Sequence, residues 1–166
     1  MAARCFNDAN VGQRAATEGR PYSCMYVNLF LTMGFTLINP ESLGAPSGYS
    51  NGLLVDGGGK LLFIAGQIAW DNNQKIVNDD FVEQFDKALA NVITVLRAAG
   101  GEAENIARLV IYVTNKLEYR ERTKEVGDRY RKHMGKHFPA MVMVQVAGLL
   151  DDRAKVEIEG MAVIPA

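Results

Sequence analysis

The stretch Phe138-Pro139-Ala140-Met141-Val142-Met143-Val144-Gln145-Val146, then a short turn and Lys155-Val156-Glu157-Ile158-Glu159-Gly160, decides the fold. β-branched residues at every second position read as strands, so the chain closes with two strands joined by a turn. Alternation assigns their faces. In the last strand Val156 and Ile158 point one way, and Lys155, Glu157 and Glu159 the other. In the strand before it, Val142, Val144 and Val146 share one face, and Met141, Met143 and Gln145 the other. The valine faces suit a layer of helices. The second face combines two methionines, a glutamine and carboxylates. It is too polar for a dry core and too apolar for open water, a mixture that fits a subunit contact or a pocket wall.

Working back toward the N-terminus, Leu117 to Met134 reads as a helix. Thr123, Val126, Gly127, Tyr130 and Met134 lie on one side of it, and the i,i+4 pairs Glu118/Arg122, Glu125/Arg129 and Asp128/Lys132 on the other. The acidic partners make its basic residues a solvated face rather than a nucleic-acid patch. Ile106 to Thr114 is a strand. Phe81, Phe85, Ala88, Leu89, Val92, Val95, Leu96 and Ala99 recur at helical spacing, with Asn78 or Asp79 as the cap and Gly100-Gly101 as the stop. Leu53-Leu54-Val55 and Leu61 to Ile68 read as a β-hairpin across the turn Asp56-Gly57-Gly58-Gly59-Lys60. That tip lacks the spacing of a phosphate loop. The order is β-β-α-β-α-β-β, an α+β two-layer sandwich.

At 166 residues, 48% apolar and 22% charged, the chain is expected to hold one principal domain with a real core. A net charge of −1 leaves no broad basic field for nucleic acid. Cys5 and Cys24 form no disulfide framework and no zinc spacing. His133 and His137 are four apart, but Gly135 and Pro139 end the helix there, so no metal site is expected. Residues 1–38 read as an N-terminal extension or leader ahead of a single domain, 39–166. Three readings of that extension stand: a signal peptide, sequence upstream of a natural start at Met33, or an ordered extension. The apolar run from Cys24 to Ile38 is too short and too broken to span a bilayer, so no membrane role is expected.

In ordered combination, Ser47-Gly48-Tyr49-Ser50, Ala65-Gly66-Gln67-Ile68, the helix Phe85 to Gly100, Phe138-Pro139-Ala140 and Val156-Glu157-Ile158-Glu159 resemble the Rid superfamily, also called YjgF or L-PSP endoribonuclease-like. The likeness covers roughly residues 39–164, about three quarters of the chain. It implies a chorismate-mutase-like fold, a cytoplasmic homotrimer with a central barrel, ligand clefts at the subunit interfaces, and no cofactor. Family members of the best-understood type hydrolyse imines and enamines. An arginine after Pro-Ala grips the substrate carboxylate, and a glutamate on the last strand places water.

Carried over residue by residue, Glu157 matches that glutamate, Tyr49 a cleft tyrosine, and Gly66 and Gln67 the end of a Ser-Gly-Gln motif. Met141 replaces the arginine, Ala65 the serine, Met143 a cysteine and Lys124 an asparagine. Methionine offers neither charge nor donor, so no carboxylate clamp forms at position 141. Lys124 is the substitute cation that the sequence offers. Trp70 is a candidate cleft wall, with core packing the stronger reading.

The expected function is a Rid-type small-molecule hydrolase whose water is placed by Glu157, with Tyr49, Gly66, Gln67, Met141, Met143 and Lys124 around the ligand. The alternatives are a non-catalytic ligand-binding or regulatory trimer and, third, an RNA-cleaving translation inhibitor.

Overall fold

The computed structural model describes residues 35–40, 42, 49–55 and 58–166, which belong to one compact unit, Leu31–Ala166. Cys5, Cys24, Met33, Ser47-Gly48 and the Asp56-Gly57 tip lie outside the described residues, as does most of the expected leader. Six strands, three helices and one 3-10 turn are described: β1 Phe35–Ile38, β2 Gly52–Val55, β3 Gly59–Gln67, α1 Phe81–Ala98, the turn Ala103–Asn105, β4 Ile106–Val113, α2 Lys116–Glu121, α3 Thr123–Met134, β5 Ala140–Gln145 and β6 Val156–Pro165. The main sheet runs β3-β6-β4-β5, with β4 and β5 parallel and the other pairs antiparallel. Helices α1 and α3 cover one face of it. The α+β two-layer architecture is as the sequence predicts.

The expected hairpin does not form. β2 pairs with β1, setting Phe35 opposite Val55 and Ile38 opposite Gly52, while β3 pairs with β6. Phe35–Ile38 is a four-residue strand at the end of an irregular apolar run, too short for its period to register in sequence. β6 offers β3 a longer ladder, from Gly59↔Pro165 to Gln67↔Ile158.

α1 buries Phe81, Phe85, Leu89, Val92 and Leu96 against the sheet, as its period requires. Its cap is Asp80, not Asn78 or Asp79: the Asp80 carboxylate accepts from the Val82 and Glu83 N–H groups. Asn78 accepts instead from the Asp80 N–H, and Asp79 is paired with Arg153. Gly100 leaves the helix at φ +84, where the Gly101 N–H returns to the Leu96 carbonyl.

The single helix expected over Leu117–Met134 is two helices broken at Arg122 (φ −117, ψ 25). Thr123 Oγ donates back to the Tyr119 and Arg120 carbonyls, the kind of local bond that interrupts a helix. The three expected i,i+4 pairs are absent among the described contacts, because each charge finds another partner, on α1 or its cap, on β6, or three residues away on α3. Arg122 reaches Asp80 and Glu125, Arg129 reaches Glu83, and Lys132 with His133 reaches Asp86. Glu118 pairs with Lys155 of β6.

Candidate functional site

Glu157 sits where β6 meets an irregularity in β3. The ladder passes from Ile64↔Gly160 to Gln67↔Ile158, so Ala65 and Gly66 together oppose Glu159 alone. This bulge turns the bare Cα of Gly66 toward the Glu157 carboxyl group. A Cβ on Gly66 would lie 1.9 Å from Glu157 Oε1 and 2.8 Å from its Cδ. Glycine is therefore the residue that lets the carboxyl lie there. Together Gly66, Ile68, Trp70, Gln74, Leu150, Asp151 and Glu157 line a groove of about 480 Å³. Asn91 on α1 steadies its wall by donating to the Ile68 and Trp70 carbonyls. Trp70 joins neither buried cluster and serves as wall rather than core. Gln67 stands beside the groove, its amide donating to the Ala65 carbonyl.

Met141 and Met143 occupy the opposite side of the sheet. They pack against the core under α3, whereas Val142 and Val144 are 43% and 39% exposed on the face away from the helices. This inverts the faces expected for β5. Both sets of side chains are apolar, so alternation alone cannot orient the strand. Parallel pairing decides it, by setting Val142 beside Val110 and Val144 beside Tyr112. The methionines, with Phe85, Tyr119, Thr123, Val126, Tyr130, Arg131 and Phe138 among others, line a groove of about 430 Å³ between α3 and β5. The Tyr130 hydroxyl donates to the His137 carbonyl, and burial raises its pKa.

Tyr49 lies at a third hollow, of about 240 Å³, beside Ser50, Arg108, Ala140 and Met141. Its segment is anchored to the start of β5, where the Ser50 N–H donates to the Pro139 carbonyl and the Ser50 hydroxyl to that of Phe138. Met141 thus touches both the Tyr49 hollow and the α3 groove.

Lys124 is exposed and lines none of these hollows. Arg131, counted in sequence among the solvated bases, lines the α3 groove instead. Ala65 faces neither groove but a hollow on the open sheet face with Phe63, Arg108, Glu159 and Met161. His133 and His137 diverge, His133 to Asp86 and His137 to the Ile106 carbonyl.

The seven residues singled out in sequence therefore fall into separate places. Glu157, Gly66 and Gln67 gather at the β3–β6 edge, Met141 and Met143 under α3, Tyr49 at the start of β5, and Lys124 in solvent. On the open face Tyr112 lies opposite Glu157 in the ladder. Its phenol is shifted up by desolvation first, then by the charges of Glu159 and Glu157.

The family profile described as Endoribonuclease L-PSP matches residues 40–164. The human 2-iminobutanoate/2-iminopropanoate deaminase is 29% identical over 121 residues, which is 72% of this chain and 82% of that protein. Protein DfrA of Myxococcus xanthus is 34% identical over 125 residues, 75% of this chain and 88% of its own length. Among solved structures, the Rid-family protein YyfB from Yersinia pestis, itself described as of unknown function, superposes with a TM-score of 0.70 at 31% identity. It is matched over 100% of its length and 80% of this chain. TdcF of E. coli with bound serine matches at 30% identity and a TM-score of 0.56, over 72% of this chain and 91% of its own.

Proposed function

The chain belongs to the Rid (endoribonuclease L-PSP) family, and from that premise we propose that it is a small-molecule hydrolase acting on an imine or enamine. The observation that carries this reading is the Glu157 carboxyl group lying against bare Gly66 in a groove walled by Ile68 and Trp70. A carboxylate there accepts a proton from water as the oxygen attacks the carbon of the protonated imine, the form an enamine reaches by taking up a proton at carbon. The product is a carbinolamine. As it collapses, the carboxyl group gives its proton to nitrogen, the C–N bond breaks, and the carboxylate takes the hydroxyl proton as the C=O bond forms, releasing ammonia and a carbonyl compound.

In one chain, Glu157 and the methionine groove lie on opposite faces of the sheet. A cleft using both needs a second copy, with one protomer giving Glu157 and its neighbour the groove. The open sheet face supports assembly: Leu61 and Phe63 are 53% and 68% exposed at its β3 edge, and Val142 and Val144 are 43% and 39% exposed at its β5 edge. The assembly we propose is a homotrimer working in the cytoplasm, without cofactor, with ligand clefts at its interfaces. Among the described residues no helix is long and apolar enough to cross a membrane.

A non-catalytic, ligand-binding trimer is the second reading, favoured by the apolar Met141 where an acid-gripping arginine is expected. A coupled assay separates the two. A pyridoxal-phosphate dehydratase generates the enamine in situ, and 2-oxo acid release is followed with wild type and Glu157→Gln. The hydrolase reading predicts acceleration by wild type alone. No acceleration over a range of amino-acid-derived imines sinks it in favour of binding.

A further inference from the structure

The groove under α3 has apolar walls and a single charge. Phe85, Ile111, Val126, Met141 and Met143 form its floor and sides, and among the described residues lining it Arg131 alone is charged. The other partnered bases of α3 are committed elsewhere: Arg129 is tied to Glu83 and Lys132 to Asp86, clamping α3 to α1. Arg131 is different. Its one ion pair is with Asp128 of its own helix, where Nη2 donates to Oδ1 at 2.5 Å. A guanidinium carries five N–H donors, so this leaves Nη1 and Nε without an acceptor among the described residues.

Gly127, one turn earlier, leaves it room. A Cβ there would stand 3.2 Å from Arg131 Nη1 and 3.5 Å from Nη2. The guanidinium lies over a glycine at the rim of the groove, one side toward the groove and the other in solvent, the side chain being 53% exposed. The polar neighbours offer an anion little else. The Thr123 hydroxyl is turned to the Tyr119 and Arg120 carbonyls, and the Tyr130 hydroxyl to that of His137.

We propose that Arg131 is the acid-binding residue of this groove and that the groove takes a monocarboxylate with a bulky apolar body. The carboxylate docks on Arg131 through a two-pronged hydrogen bond, and the body lies on Met141 and Met143. This deepens the hydrolase reading and rests on it for the substrate class: imines of 2-oxo acids with aromatic, thioether or long aliphatic side chains. An apolar groove with one cation at its rim discriminates against small acids, which leave the methionine floor uncovered, and against neutral compounds, which bring no charge to the free Nη1 and Nε donors.

Binding tests the proposal without turnover. Phenylpyruvate, pyruvate and phenylacetone are titrated calorimetrically into the full chain and into Arg131→Met, Arg131→Lys, Asp128→Asn and Gly127→Ala. Phenylpyruvate is expected to bind at least tenfold more tightly than either comparator. Arg131→Met should lose that advantage, Arg131→Lys should keep part of it, and Asp128→Asn, which removes the competing carboxylate, should tighten binding. Gly127→Ala should raise the melting temperature of α3's fold while weakening phenylpyruvate, a pairing of opposite signs that a purely structural role does not produce. In the dehydratase-coupled assay, Arg131→Met should raise KM for the phenylalanine-derived imine with little change in kcat.

Phenylpyruvate binding that is absent, unchanged in Arg131→Met, or matched by phenylacetone overturns the proposal. Turnover that needs Glu157 but is indifferent to Arg131 leaves the hydrolase standing and this inference fallen. Arg131-dependent binding with no turnover of any imine does the reverse.

Discussion

Gly66→Ala separates the chemistry of Glu157 from the stability of the sheet that holds it. The new Cβ would lie 1.9 Å from Glu157 Oε1, so the carboxyl group must retreat by about 1.5 Å to reach ordinary van der Waals contact. The atoms in the way are the far end of a flexible side chain. Position 66 also has no left-handed backbone angle to forbid alanine. The fold therefore absorbs the change. Alanine restricts the unfolded chain, worth about 0.4–1 kcal/mol, and this offsets most of the cost of moving the glutamate. A net change within about 1 kcal/mol moves the melting temperature by about 2–4 °C.

Turnover has no such slack. Displacing a proton-transfer group by about 1 Å costs on the order of 100-fold, so kcat should fall by about that factor in the coupled assay. Glu157→Gln should fall at least as far, and the double variant little further, because both changes remove one function. Wild-type turnover in Gly66→Ala, or fully additive losses in the double variant, would refute the reasoning. So would outright unfolding of Gly66→Ala in a thermal melt.

Three further outcomes follow from the packing. Burial works against ionisation of Asp86, but Lys132 and His133 outweigh it and hold its pKa below the usual value. A depressed folded pKa gives stability that is present above the unfolded value and lost as pH falls. Asp86→Asn should therefore cost about 1–2 kcal/mol at pH 7 in urea melts, with the gap to wild type closing below about pH 4. Asp80→Ala removes the cap of α1 and should cost about 1 kcal/mol or somewhat more, read the same way, since Asp80 also accepts from Arg122. Phe63→Glu places a charge on the open sheet face, where the side chain is 68% exposed, and should reduce assembly in light scattering without changing the circular dichroism spectrum.

The elements legible in sequence were those with a long, one-sided period. α1 and the first half of β6 each present a single apolar face and fold as read, while β6 runs on past Gly160 to Pro165, where Met161 to Ile164 make both faces apolar and hide the period. β5 was legible as a strand but not in its orientation, because valines and methionines make both of its faces apolar. The β1–β2 pair escaped because pairing is a choice between distant partners, and nothing in Leu53-Leu54-Val55 encodes which strand it will meet. The ion pairs were misread for the same reason: spacing within α3 is visible in sequence, while the acids of α1 that capture its bases are not.

At the candidate site, Gly66 and Glu157 were found through a strand glycine and a family likeness, and the bulge explains why they belong together. Arg131 was missed because in sequence it is one of several bases interleaved with acids on α3, and only the fold shows that it borders the groove.

The central claim is that Glu157 of one copy serves the α3 groove of another. Glu157→Gln and Thr123→Trp, the second blocking the mouth of the groove from an exposed position, should each be inactive alone. Unfolding and refolding them together makes mixed oligomers in which some clefts pair an intact Glu157 with an intact groove. The account predicts recovery to roughly a quarter of wild-type activity, the statistical share of such clefts in random mixtures. Mixed oligomers verified by native mass spectrometry, with no activity beyond that of the two parents, would contradict it.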